Sequence, residues 1–323
     1  MDLNFVVLAL GQIFEPTTIA YALAALGLTV QFGYTGLLNF GQAGFMAIGG
    51  YAFAILTLKL GMPFPVAVLA AIVGAALFAV VLGIPTLRLR TDYLAIVTIA
   101  AAEIVRYTVQ TPDLISVTGG SDGLNGAGRT FTALNPIPAG TYGSGTLTYS
   151  ADDLWIRVVG WAFVIVVALL VRQLMRSPWG RVNKGIREDE DAVRSLGKNV
   201  FAYKMQSLVL GGVLGALAAV IQIIPGSLQP ENYGTQTTFF LVTIILLGGA
   251  TTVFGPLVGA IVFWVVLSLS DGLLSLAVAH QWLPISPIQQ GPIRFIIVGV
   301  ALMLIVIFRP QGLVGKKREV FFA

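Results

Sequence analysis

The stretch GLLNFGQAGFMAIGGY, residues 36–51, places two amides and five glycines inside an apolar run of the chain. The amides are Asn39 and Gln42, and an amide in hydrocarbon costs free energy unless it is paired. Irregular backbone at membrane depth persists only where it is buried in protein or lines a water-filled cavity. The stretch therefore predicts a broken membrane helix that lines a polar pathway through Asn39, Gly41, Gln42 and Gly44. Close helix packing at the glycines is the alternative.

Composition places the whole chain in a membrane. Of its 323 residues, 56% are hydrophobic and only 11% are charged, and the mean hydropathy is +0.87. Charged residues make up about a quarter of a soluble globular chain, so a soluble enzyme, a secreted module and a disordered chain are excluded. Cysteine is absent and there is a single histidine. The sequence therefore predicts no disulfide and no metal site.

Apolar runs long enough to cross the bilayer repeat along the chain. About eight or nine of them have the roughly 20 residues that a spanning helix needs. They lie near residues 17–35, 37–58, 64–87, 92–110, 154–175, 205–225, 237–253, 255–278 and 292–308. They predict an all-α polytopic membrane protein that forms one transmembrane domain over residues 1–323. Residues 1–14 are too short to cross and are expected to form an interfacial helix.

A second interruption by small residues, LLGGATTVFGPLVGA at residues 246–260, lies in the other half of the chain. Paired interruptions in two halves are typical of transporters built from inverted repeats. The pairs Gly211 with Gly215 and Gly255 with Gly259 have the spacing that lets helices approach closely. The chain is therefore expected to contain inverted repeats with broken or re-entrant segments.

Basic residues set the expected orientation, because Lys and Arg near span ends stay on the cytoplasmic side. They concentrate in the segment 176–204, in the tail 309–323 and in the turn before residue 92. The C-terminus is therefore expected in the cytoplasm, and the loop 111–153, with Arg129 as its single base, outside. Because the bases lie at membrane edges without interleaved aromatic residues, the net charge of +4 does not indicate nucleic-acid binding.

Glu103 and Arg106 lie three residues apart inside a predicted span. Ionisable groups within spans are candidates for a functional site, and this spacing puts both on one helical face, where they can neutralise each other. The sequence predicts an intramembrane ion pair. Its role is either structural or a contact with the transported substrate.

The segment SPWGRVNKGIREDEDAVRSLGKNV, residues 177–200, predicts one short helix that begins at Ser177 and Pro178 and ends at Gly197. An apolar stripe on this helix favours docking on another protein, and its members are Ile186, Ala192, Val193 and Leu196. The chain has no G-x-x-x-x-G-K-[ST] phosphate loop. If ATP drives transport, the ATPase is therefore a partner.

Six segments together resemble a known family in their order and spacing. They are GYTGLLNFGQAGFMAIGGYAFA at 33–54, TDYLAIVTIAAAEIVRY at 91–107, TGGSDGL at 118–124, SPWGRVNKGIREDEDAVRSLG at 177–197, FGPLVGA at 254–260 and FRPQGLVG at 308–315. The chain resembles, over nearly its whole length, the LivM-type permease subunits of ABC importers for branched-chain amino acids.

The resemblance implies an ABC importer permease fold in a bacterial inner membrane, surrounded by lipid. It implies four partners: a second homologous permease, two cytoplasmic ABC ATPases and an external substrate-binding protein. The ATP and Mg would be held by the ATPases, with no cofactor in this chain. Family substrates are branched-chain amino acids, while related systems carry urea or short amides, so the substrate stays open at this point.

The resemblance also implies roles for particular residues. The coupling helix that docks on an ATPase would contain Arg187, Glu188, Glu190, Ala192, Val193, Leu196 and Gly197. The broken segment 39–44 would line the pathway. The external gate, or the contact with the binding protein, would contain Thr118, Gly119, Gly120, Ser121 and Asp122.

A secondary transporter or channel that works alone is the alternative from another class. It would need an ion or proton site, usually a buried carboxylate without a partner, and Glu103 is the acid available for that role. A membrane enzyme is not indicated, since no nucleophile, base and orienting group recur at one depth. No catalytic residue is predicted.

Overall fold

The computed structural model describes residues 4–89, 91–279, 287–309 and 311–315, and these are mostly helical. The helices in chain order are α1 (Asn4–Gly11), α2 (Pro16–Thr29), α3 (Gln42–Leu58), α4 (Phe64–Thr86), α5 (Thr91–Gln110), α6 (Ile115–Thr118), α7 (Arg129–Thr132), α8 (Ala151–Arg176), α9 (Pro178–Glu188), α10 (Glu190–Ser195), α11 (Val200–Ile223), α12 (Thr235–Gly248), α13 (Gly255–Ala279) and α14 (Pro287–Phe308). The strands are β1 (Leu124–Asn125), β2 (Thr141–Ser144), β3 (Leu147–Ser150) and β4 (Ser227–Leu228), with β1 antiparallel to β4 and β2 antiparallel to β3.

Among the described residues, five helices are long and apolar enough to cross a membrane, namely α4, α5, α8, α11 and α13. The chain from α1 through α2 makes a sixth span if its two parts, bent by 46°, are counted together. Helices α3 and α12 are apolar but have only 17 and 14 residues. The prediction of an all-α polytopic membrane protein is confirmed. Several helices, however, are shorter than the apolar runs from which they were predicted.

Helix α11 lies at the centre of the bundle, where it packs on α2, α3 and α4. Of its most apolar window, 67% is buried, compared with 33% for α4, 28% for α8 and 17% for α5. A helix that is apolar on all sides is stable only when other helices or lipid surround it. The protein interior surrounds α2 and α11, and α4, α5 and α8 leave apolar faces exposed.

Glycine allows the central helices to approach closely. A Cβ atom on Gly27 of α2 would lie 2.6 Å from the Gly211 carbonyl oxygen of α11. A Cβ atom on Gly49 of α3 would lie 2.3 Å from the Cβ of Ala216, also on α11. Glycine at these positions lets the backbones approach closely enough to pack, as the small-residue spacing predicts.

The first break, residues 30–41, separates α2 from α3. Residues 30–34 form a π-helical turn, and residues 36–41 are not helical. Gly36 has φ of +73°, a backbone conformation that glycine adopts without strain. The predicted span at 37–58 therefore begins as a helix only at Gln42.

The second break, residues 249–254, separates α12 from α13. It touches the first break, since a Cβ atom on Gly33 would lie 1.8 Å from the Ala250 carbonyl oxygen. The C-terminal segment closes over it, as the Leu313 backbone N–H donates to the Leu247 carbonyl at 2.9 Å. The two glycine-rich interruptions thus meet at one end of the bundle; an inverted-repeat relation between the halves stays a prediction.

The loop predicted over 111–153 is folded against the bundle. Its strand β1 pairs with β4, and its hairpin β2–β3 leads directly into α8. A capping box between Ser150 and Asp153 begins α8, whose first turn therefore starts before the predicted residue 154. The position of this loop outside the cell stays a prediction.

The N-terminal residues form a short helix and a turn over residues 4–14, and their place at the membrane interface stays a prediction. Helix α1 ends at Gly11, a short turn follows, and the extended backbone at Glu15 precedes Pro16, the first residue of α2. Phe5 packs against Gly272 of α13. Of the predicted tail 309–323, residues 310 and 316–323 lie outside the described residues.

The close contact at Gly49 predicts a destabilising substitution. In Gly49→Ala, the added methyl group would overlap Ala216 and force α3 away from α11, which we expect to cost about 1–3 kcal/mol of stability. The apparent melting temperature of the detergent-solubilised protein should fall. The matched control is Gly74→Ala on α4, where the new Cβ would lie 3.4 Å from its nearest neighbour; an equal fall in both variants would contradict the packing account.

Candidate functional site

Three buried amides hold the first break against α11. The side chain of Asn39 donates to Gln31 Oε1 at 2.8 Å and to Gln42 Oε1 at 3.3 Å, and its own oxygen accepts from the Gly41 N–H. Gln31 and Gln42 donate in turn to the carbonyl oxygens of Leu208 and Gly211 on α11. We call Gln31, Asn39 and Gln42 the amide cluster.

The amide cluster is buried and has almost no solvent-accessible surface. Gln31 and Gln42 are fully buried, Asn39 is 2% exposed, and Gly41 and Gly44 are also buried. Each amide bonds to another amide or to backbone, which is how a polar group becomes tolerable at membrane depth. The described contacts are structural, and lining of the pathway by these residues stays a prediction.

The connector, residues 177–199, forms two helices where one was expected. Asp189 adopts an extended conformation between α9 and α10, and its side chain accepts from the Ala192 N–H to cap α10. Of the predicted stripe, Ile186 and Val193 are buried against Val200 inside the chain. The expectation that the whole stripe faces a partner is therefore wrong, because half of it forms a small core between α9, α10 and α11.

Helix α10 and its end carry four of the other predicted coupling residues, namely Glu190, Ala192, Leu196 and Gly197, while Arg187 and Glu188 lie at the end of α9. Leu196 is 78% exposed, an unusual position for a large apolar side chain. Ala192 and Gly197 are also exposed, and Gly197 has φ of +74° where α10 ends. Glu190 forms ion pairs with Arg194 and with Lys204 on α11. Docking of this face on a partner stays a prediction.

A buried polar contact joins the connector to the first break. The side-chain oxygen of Asn183 on α9 accepts from Thr35 at 3.3 Å and from Ser207 of α11 at 3.1 Å, and Thr35 and Ser207 lie 2.8 Å apart. Asn183 and Ser207 are fully buried. Nearby, Arg187 donates to the Gly33 carbonyl at 2.7 Å and forms an ion pair with Glu188. We call Thr35, Asn183 and Ser207 the connector triad.

The sequence singled out neither the connector triad nor Gln31. Thr, Ser and Gln are common in membrane helices and carry no spacing signal. Asn183 did carry one, since it lies three residues before the buried Ile186 and thus on the same face of α9. A polar residue on the buried face of a connector helix indicates a specific partner.

Glu103 and Arg106 form an ion pair, with 2.7 Å between Oε2 and Nε. The other carboxylate oxygen of Glu103 accepts from the backbone N–H of Thr235 at 2.9 Å and from its hydroxyl at 2.5 Å. Thr235 is the first residue of α12, where a negative charge is favoured by the helix dipole. Arg106 also lies 3.5 Å from Glu231 and stacks on Tyr107. The pair anchors the start of α12 to α5.

The segment Thr118 to Asp122 turns back on itself at the end of the bundle opposite the connector. Gly119 and Gly120 have positive φ, and the Thr118 hydroxyl donates to the Val109 carbonyl at 2.7 Å. Ser121 and Asp122 are exposed. These two side chains are available to a partner, and a role as gate or as contact for a binding protein stays a prediction.

No metal site is found in the part of the chain that the structure describes, where no group of three or more His, Asp or Glu side chains is placed to hold an ion. Two of the acidic side chains are engaged within the protein. Glu103 accepts a hydrogen bond from Thr235, and Glu190 forms an ion pair with Lys204.

An all-helical bundle with several spans, buried breaks and a docked connector is the architecture of a multi-pass membrane permease. Residues 16–307 match the family described as the permease component of the branched-chain amino acid transport system. The chain belongs to this family. It is therefore a permease component of an ABC transport system and a transport subunit, not an enzyme.

Curated relatives agree with this assignment. The LivM permease protein of the high-affinity branched-chain amino acid transport system of Escherichia coli is 31% identical over 93% of this chain and 69% of its own length. A probable LivM of Methanocaldococcus jannaschii is 25% identical over 92% of this chain and 91% of its own. The LivH permease protein of Salmonella typhimurium is 24% identical over 95% of this chain and 96% of its own length.

The amide cluster predicts the result of one substitution. Gln42→Met keeps the length of the side chain but removes its hydrogen bonds to the Gly211 carbonyl and the Asn39 amide, which we expect to cost about 0.5–1.5 kcal/mol for each bond lost. SDS titration of the purified protein in bicelles measures the loss. The matched control is Gln236→Met, at an exposed position of α12; if both variants unfold at the same SDS fraction, the cluster does not stabilise the break.

Proposed function

We propose that this chain forms half of the translocation pathway of an ATP-driven importer for branched-chain amino acids. The other half would be a second homologous permease, with two cytoplasmic ATPases and an external substrate-binding protein completing the assembly. Relatives of both kinds, LivM and LivH, are named as permease proteins of such systems, which supports pairing of two different permeases.

The observation that carries this proposal is the connector triad. A helix that merely links two spans needs no buried polar bond to a broken helix elsewhere in the chain, since burying Asn183 without its partners would cost free energy. Because of the triad, a displacement of α9 would also displace the first break. That is the arrangement expected where a partner pushes on the connector to change the pathway.

Transport then follows from a two-state movement. ATP binding would close the ATPases and shift α10 through its exposed face at Leu196. Asn183 and Arg187 would carry the shift to the first break. The amide cluster ties that break to α11, so the bundle would rock between outward-open and inward-open states. Hydrolysis would reset the assembly, with ATP and Mg held by the partners.

Orientation fits this cycle when the connector and the C-terminal tail face the cytoplasm. Residues 172–204 carry eight of the 19 basic residues, and bases near span ends stay inside. The 111–153 loop would then meet the binding protein outside through Ser121 and Asp122. The membrane would be the bacterial inner membrane.

A transporter that works without ATPases is less well supported. It would use an unpaired carboxylate, and Glu103 has both oxygens engaged by Arg106 and Thr235. Cargo other than branched-chain amino acids, such as urea or short amides, is the remaining alternative for the substrate.

Two substitutions in the connector separate docking from transmission. Leu196→Asp places a charge on the exposed face and should remove the ATPases from a pull-down of the tagged permease in mild detergent. Asn183→Ala should keep the ATPases bound but lower leucine uptake per ATP hydrolysed by about tenfold, a coupling energy of ordinary allosteric size. Proteoliposomes with the complete assembly supply both measurements.

The control for Asn183→Ala is Asn125→Ala, an exposed position in the 111–153 loop. It should leave the ratio of leucine uptake to ATP hydrolysis unchanged. If Asn183→Ala had the wild-type ratio of leucine uptake to ATP hydrolysis, Asn183 would not transmit movement from the connector to the first break. Recovery of the wild-type permease without any ATPase, even after crosslinking, would remove the importer assignment altogether.

A further inference from the structure

A cavity of about 290 Å³ lies where α8, α9 and the second break meet. Its basic lining residues are Arg172 and Arg176 of α8 and Lys184 of α9. None of the described residues that line it is acidic. Three positive charges thus face one small space at the end of the bundle that carries the connector.

These three bases differ from six other basic residues of the protein, which are neutralised by carboxylates. Arg106, Arg157, Arg187, Arg194, Lys204 and Arg294 each form an ion pair with a carboxylate. Within the described ranges, no ion pair involves Arg172, Arg176 or Lys184. Arg172 lies over the Phe254 ring and Lys184 over the Tyr34 ring, so both heads are held at the cavity wall.

The helix ends near the cavity act in opposite directions, because the negative carboxyl ends of α8 and α12 lie beside it together with the positive amino end of α13. The carboxyl end of α8 favours Arg172 and Arg176. Helix α13, however, begins at Gly255, directly after the lining residues 251–254, and the positive end of its dipole adds to the cavity. A ligand with a compact negative charge would complete the site.

We propose that the cavity binds the headgroup phosphate of an anionic phospholipid. The acyl chains would lie on the apolar face of α8 that precedes Arg172, where Val166, Leu169 and Leu170 are 54%, 48% and 63% exposed. In the orientation proposed above, the cavity faces the cytoplasmic leaflet, where basic pockets between helices bind anionic lipid headgroups. The bound phosphate would hold α8, α9 and the second break in one arrangement.

The test is native mass spectrometry of the delipidated transporter, purified with its co-purifying subunits and titrated with phosphatidylglycerol or phosphatidylcholine. Wild type should bind one tight phosphatidylglycerol in preference to phosphatidylcholine. The variant R176Q/K184Q should lose affinity by about fivefold for each charge removed. The variant R176K/K184R keeps both charges and should bind as wild type does, which separates loss of charge from loss of fold.

The matched control is R88Q/K198Q, which removes two exposed bases near the connector but outside this cavity. It should retain phosphatidylglycerol. Equal loss in the control and the site variant, or no preference over phosphatidylcholine, overturns the proposal. Displacement of the lipid by inorganic phosphate at the same concentration would make the ligand a free anion. If R176Q/K184Q lost the ATPases but still bound lipid, the cavity would be a contact site for the ATPases, which also overturns the proposal. None of these readouts depends on transport.

Discussion

Amides buried at membrane depth must be paired, and this requirement organises the first half of the protein. A helix that breaks inside hydrocarbon exposes backbone groups that water cannot reach. Here Gln31, Asn39 and Gln42 bond to each other and to the carbonyl oxygens of Leu208 and Gly211. The break is thereby fastened to α11, the most buried of the long helices. A polar cluster in a low-dielectric interior is stable only when every member is satisfied, which also favours a few discrete arrangements over continuous deformation.

Close contact of backbones extends this cluster to the rest of the bundle. Gly33 lies against Ala250, so the two breaks touch, and Arg187 donates to the carbonyl oxygen of the same Gly33. The connector therefore contacts both breaks through one short stretch of chain. At the opposite end, Glu103 holds the first turn of α12. The second half of the bundle is thus anchored at one end and linked to the connector at the other.

Much of this architecture is readable from the sequence, and the reasons for the exceptions are physical. Apolar runs predicted the spans, and the glycines of 36–51 predicted an interruption. Hydropathy could not show that residues 36–41 leave the helix, because apolar loop and apolar helix look alike. The connector was predicted as one helix, since its period is helical throughout; only the capping side chain of Asp189 divides it. Thr35 acquires its role from Asn183 and Ser207, which lie 148 and 172 residues away in sequence, and no local pattern records such contacts.

In the proposed transport cycle, the connector and the first break move together. The chain has no cysteine, so Thr35→Cys/Asn183→Cys introduces the single pair of thiols across the contact. In proteoliposomes with the complete assembly, this variant should import leucine poorly when reduced, because the connector triad is lost. Joining the two thiols with the shortest bifunctional methanethiosulfonate should restore ATP-driven uptake toward the wild-type rate, and reduction should abolish it again. Uptake that is normal before crosslinking and blocked after it would mean that the connector must separate from the break during transport, which contradicts the account.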